Sequence, residues 1–128
     1  MSLTFEDIRR LALTLPEVEE GLFVRRSPSF EVRGKGFARF GPPIRDLGPP
    51  EDEDTLVIRV SREHRTALLT TSPDRFFITP HYELGEAVLT RLSSNGRRDL
   101  PELEDLLEEA WRRFAPKRLV AQWDTLHA

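Results

Sequence analysis

Few residues in this chain have the chemistry to carry a reaction. There are three histidines, His64, His81 and His127, and no cysteine. The absence of thiols removes disulfides, thiolate catalysis and Cys-ligated zinc. No histidine has a His-x-x-x-His partner, so a metal would have to gather distant ligands, and no metal or cofactor is expected. His81 stands in Thr79-Pro80-His81-Tyr82, which brings an imidazole and a phenol together just after an expected strand. It is the one plausible general acid or base, although a packing or turn-capping role fits the same residues. The acidic stretches Glu17–Glu20 and Glu51–Asp54 read as solvated loops; the second lacks the Asp-x-Asp-x-Asp-Gly spacing of a calcium loop. Neither a Gly-x-Ser-x-Gly elbow, nor a phosphate loop, nor a dinucleotide fingerprint is present.

The densest charge is basic. Between Arg25 and Arg45 lie six basic residues, Arg25, Arg26, Arg33, Lys35, Arg39 and Arg45, against one acid, Glu31. Arg25, Arg26, Arg33, Lys35 and Arg39 form a candidate phosphate-contacting surface, with the Gly34-Lys35-Gly36 tip as a wing. Basic residues on a sheet also serve to block edge pairing, so the pattern alone leaves both readings open. The formal net charge of −3 argues against a protein that coats nucleic acid indiscriminately.

These residues need elements to position them. Ser27–Phe40 alternates apolar and polar residues around the Gly-Lys-Gly tip, the pattern of a β-hairpin. A three-residue loop, Gly34 to Gly36, would set Phe30 opposite Phe40, Glu31 opposite Arg39 and Val32 opposite Ala38. Phe30, Val32, Ala38 and Phe40 then share one face; Glu31, Arg33, Phe37 and Arg39 share the other. Before the hairpin, Thr4 is placed to cap a helix carrying Phe5, Ile8, Leu11, Ala12 and Leu15, ended by Pro16, and residues 17–21 read as an acidic connector. After it come a Pro-rich loop over residues 41–54, a strand at Thr55–Val60 and a short helix capped by Ser61. Two further strands are expected at Phe76–Thr79 and Ala87–Leu92. A long helix follows, with Asp99 and Glu102 as a capping pair and the stripe Leu103, Leu106, Leu107, Ala110, Trp111 and Phe114. Pro116 ends it, and Leu119, Val120 and Trp123 dock a last helical turn or two.

The order α-β-β-β-α-β-β-α predicts an α+β fold, an antiparallel sheet with helices packed on one face, in one domain over residues 1–128. No apolar run approaches the ~20 residues of a membrane span, and the N-terminus lacks the regions of a signal peptide, so no membrane partner and a cytoplasmic location are expected.

Several segments together resemble the YjbR/MmcQ-like family of small bacterial proteins. They are Leu15-Pro16-Glu17-Val18, the hairpin Ser27–Ala38, the strand Leu56–Val60, Thr79-Pro80-His81-Tyr82, Val88–Leu92, Glu109–Arg112 and Ala115–Leu119. The resemblance covers almost the full chain. It implies a frataxin/CyaY-like fold and a predicted DNA-binding role, and it brings no catalytic residues. The leading expectation is therefore a non-enzymatic binding protein with weak electrostatic contacts to nucleic acid through the basic hairpin. The alternative is a module that binds a small molecule or a protein in a groove near Phe37, His81, Tyr82 and Trp111. An enzyme using His81 is third.

Overall fold

The computed structural model describes residues 2–22, 28–41 and 54–128. Helix α1 (Phe5–Leu13) opens with a capping box: the Thr4 backbone N–H donates to Asp7 Oδ2 at 2.8 Å, and the Asp7 N–H returns to Thr4 Oγ1 at 3.4 Å. Strands β1 (Val18–Leu22), β2 (Pro28–Val32), β3 (Lys35–Phe40) and β4 (Thr55–Ile58) follow. Next come α2 (Arg62–Thr71), β5 (Phe76–Phe77), β6 (Val88–Arg91), α3 (Leu100–Phe114) and α4 (Lys117–Leu126). The six strands make one antiparallel sheet in the order β1-β2-β3-β4-β6-β5. This is the expected α+β order with one strand added in front. Residues 17–21, expected as a connector, largely form the edge strand β1, whose exposed Glu19 and Glu20 break the apolar signal a strand would carry.

The helices cover one face of the sheet. Phe30, Ala38, Ile58 and Val88 lie in register across β2, β3, β4 and β6, and pack with Ile8 and Ala12 of α1 and with Leu68 of α2. Leu103, Leu106, Leu107, Ala110 and Trp111, the stripe read from the sequence, are buried in the same core. The indole of Trp111 donates to the Pro16 carbonyl at 3.0 Å, so its one polar atom is satisfied. The last helix is ten residues rather than a turn or two, and Trp123 meets Trp111 edge-on, 5.8 Å between centroids.

The capping expectation changes. Asp99 caps the preceding short turn by accepting from the Gly96 N–H at 2.8 Å, while Glu102 accepts from Arg75 at 2.6 Å. On the same helix Glu109 holds His64 of α2 at 2.6 Å, Arg113 reaches Glu86 at 2.8 Å and Arg112 pairs with Glu108 at 3.0 Å.

The hairpin differs from the expected register. Its loop has two residues, Arg33 and Gly34, both at positive φ (52° and 77°), the requirement of a type I′ turn. Val32 faces Lys35 and Glu31 faces Gly36, but Phe30 faces Ala38 and Ser29 faces Arg39. Phe37 is the extra residue of a β-bulge, fully buried in the main core rather than on the outer face. Without the bulge a two-residue loop would turn Arg39 toward the core. With it, Arg39 points to the face the helices leave open.

Candidate functional site

On that open face one row of residues runs in register across all six strands: Gly21, Ser29, Arg39, Val57, Leu89 and Phe77. Among the described residues, only part of it is covered. Val57, Tyr82, Ala87 and Leu89 form a small second core, with half-buried Phe77 against it. The cover is the segment after β5, in which a short helical turn (Pro80–Tyr82) leads on to β6.

A buried arginine fixes that segment. Arg65 of α2 donates to the carbonyls of Tyr82 (2.9 Å), Gly85 (2.8 Å) and Glu83 (3.2 Å). Arg62, one helical turn earlier, donates to the Leu84 carbonyl. Four successive carbonyls are thus held by two guanidinium groups, geometry suited to a planar fork of donors. Residues 82–85 stand at a set height above the sheet as a result.

Between this segment and the hairpin lies a cleft of about 450 Å³. Val57 and Ala87 give it apolar walls, Gly34, Gly36 and Gly85 an open rim, and Ser29, Glu31, Arg39, Arg59, Tyr82 and Glu86 its polar groups; Ala38, whose side chain belongs to the helix-side core, borders it. Arg39 donates to the Tyr82 hydroxyl, with its guanidinium carbon 5.7 Å from the ring centre. This contact ties the hairpin to the covering segment. Glu86 is engaged by Arg113, and Arg59 stacks on Phe114 at 5.0 Å. Glu31, expected to pair with Arg39, instead accepts a long 3.5 Å bond from the Ser29 hydroxyl.

The candidate residues read from the sequence separate into distinct places. Arg25 and Arg26 lie outside the described residues. Arg33 sits in the hairpin turn and donates to Glu17 at 2.5 Å, a bond that holds the Glu17 carboxyl below its usual range and raises the arginine. Lys35 is exposed at the start of β3, and Arg39 belongs to the cleft. Of the expected groove only Tyr82 lines the cleft. Phe37 and Trp111 are fully buried in the helix-side core and cannot share a surface with it. The backbone of His81 is in the turn beside Tyr82; its side chain is outside the described part of the structure.

The sequence reading missed Ser29, Val57, Arg59 and Glu86 as site residues. Ser29 and Val57 carried a usable signal, since strand alternation puts both opposite the core face. Arg65 carried none, because an arginine in an amphipathic helix reads as solvated. Among the described residues, no group of three or more His, Asp or Glu is placed to hold a metal ion, and no helix is long and apolar enough to cross a membrane.

Comparison with known proteins adds a family without an activity. The family model described as YjbR matches residues 13–113, a span that includes every lining residue of the cleft. An uncharacterized protein of Mycobacterium tuberculosis and one of Mycobacterium bovis are each 32% identical over 127 residues, covering 91% of this chain and 92% of theirs.

Proposed function

The chain belongs to the YjbR family, and on that premise we propose that it is a non-enzymatic binding domain whose ligand site is the cleft on the open face of the sheet. The observation that carries this reading is the cleft itself. About 450 Å³ of space is bounded by apolar walls and six polar side chains, and it is held open by the Arg65-anchored segment. Small-molecule sites have this form, ~300–1,000 Å³ with a few polar groups converging on apolar surface. Binding is favoured over catalysis by the spacing of the groups. The Ser29 hydroxyl stands 3.5 Å from Glu31, beyond the ~2.6–3.2 Å at which a base activates a nucleophile.

The duplex-binding reading has less support. Arg33 is engaged by Glu17 and Arg39 by Tyr82, while the exposed Glu19 on β1 places negative charge beside the hairpin. Among the described residues of that surface, Lys35 at the exposed tip is what remains in its favour.

One substitution separates the two. Gly36 lines the cleft opposite Glu31, and a Cβ added there meets nothing within 4 Å, so Gly36→Phe starts from open space and is designed to occupy the cleft. A small-molecule fragment library is screened by ligand-observed NMR against both proteins, with a labelled DNA duplex titrated in parallel at low and moderate salt. Fragments that bind the native chain and lose at least tenfold in affinity for Gly36→Phe support the cleft. Fragment binding indifferent to the substitution, or a steeply salt-dependent duplex affinity that survives it, overturns the proposal in favour of the hairpin surface.

A further inference from the structure

The two acids of the cleft are not equivalent. Glu86 has Arg113 at 2.8 Å. Glu31 is half-buried and accepts only the 3.5 Å contact from Ser29, with no basic side chain among the described residues within ion-pairing distance. Its position is nevertheless built. A Cβ on Gly21 would lie 2.7 Å from Glu31 Oε2 and 3.3 Å from Ser29 Oγ, so the carboxylate lies over the bare backbone of β1, where any side chain would push it away. The nearest opposite charge by strand register is Arg39. It occupies a diagonal position across β2 and β3, where Cα atoms are typically ~7–8 Å apart, and it reaches to Tyr82 instead.

A carboxylate partly removed from water loses hydration that an ion pair would replace. An ammonium can replace it, bringing several N–H donors and opposite charge in one compact group. Arg39 and Arg59 line the same cleft and bring two guanidinium groups to it. We propose, resting on the reading of the cleft as a ligand site, that it takes a small zwitterion of about dipeptide size, with its ammonium on Glu31 and its carboxylate toward Arg39 and Arg59. The apolar walls, Val57 and Ala87, then face the carbon skeleton between the two charges.

The test uses the isotopically labelled full chain and a panel of dipeptides with free termini, each matched by its N-acetylated and its C-amidated form. Free dipeptides are expected to shift the amide resonances of Ser29, Gly36, Val57 and Ala87. N-acetylation should weaken binding at least tenfold, and amidation should also weaken it. Glu31→Gln should weaken the free dipeptide at least tenfold and leave the acetylated form unchanged. Gly21→Ala, which displaces the carboxylate while keeping its charge, should weaken the free form as well and serves if Glu31→Gln folds poorly. Equal binding of free and acetylated forms, or no response to any free dipeptide, overturns the inference. If fragments lacking an amine still bind and are lost in Gly36→Phe, the cleft stands and only the zwitterion fails. If Gly36→Phe leaves fragment binding intact, the cleft fails too.

Discussion

The two faces of the sheet are built from the same strands and resolve the same problem differently. On one face, Phe30, Ile58, Val88 and their neighbours disappear under four helices, and the polar atom of the largest side chain, Trp111, is matched to Pro16. On the other, a row from Gly21 to Phe77 passes from small through charged to apolar residues, and among the described residues a single segment covers its β4–β6 end. Burial specifies the first face, whose side chains pack against one another. The second is held open by ionic and hydrogen-bonded contacts, Arg65 to three carbonyls and Arg39 to Tyr82, which fix positions while leaving space. On the proposed reading, stability and binding are thus divided between the two faces.

The largest difference is expected in deletions from each side. Leu107→Ala, at a fully buried position beneath α3, should cost ~2–5 kcal/mol in chemical denaturation. Val57→Ala on the cleft side removes two methyl groups and should cost about 1.5 kcal/mol. Equal losses would mean that the open face carries as much of the core as the covered one, and the contrast would not hold.

Arg65→Met comes next. It keeps the aliphatic stem and leaves the Tyr82, Glu83 and Gly85 carbonyls without their donor, at ~1–3 kcal/mol. The loss should be local. Hydrogen exchange should accelerate at Tyr82 and Gly85, whose N–H groups bond within the segment, and stay slow in α3. Uniform acceleration would show that Arg65 supports the whole fold rather than the cleft.

Acid should act on the helix side and the hairpin tip. Asp7 is held below the usual carboxyl range chiefly by the Thr4 backbone N–H, Glu17 by Arg33 and Asp124 by Arg112. Groups with depressed folded values contribute stability that is complete above the ordinary carboxyl pKa of about 4 and is lost as pH falls through the folded values. Denaturation midpoints should therefore be flat near neutrality and decline below about pH 4. The triple variant Asp7→Asn, Glu17→Gln, Asp124→Asn should decline less steeply over the same window. An unchanged acid slope would place the sensitive carboxylates elsewhere.

Much of the covered face was legible because helical and strand periodicities report burial directly. The stripe from Leu103 to Trp111 followed from spacing alone. The cleft was not legible, for three physical reasons. The hairpin register depends on an arginine at positive φ and a bulge at Phe37, and neither has a sequence signature as clear as Asn-Gly. Phe37 and Trp111 look like groove residues only while the faces they occupy are unknown. Arg65 acts on backbone carbonyls 17 to 20 residues away, a contact that no local pattern encodes.

The smallest stability effect goes with the sharpest functional one. Gly36→Phe should leave the melting temperature unchanged or slightly raised, since its Cβ meets open space and an aromatic side chain favours a strand over glycine. A clear loss of stability would show that the cleft is filled by the protein itself.

The central claim, that the open face holds the ligand site, is tested most directly by mapping bound fragments on the backbone-assigned amide spectrum of the native chain. The account predicts saturable shifts clustered at Ser29, Glu31, Gly36, Val57, Gly85 and Ala87, with α3 and α4 unmoved. Shifts confined to Arg33, Gly34 and Lys35 at the hairpin tip, or to the helix-covered side, would contradict it.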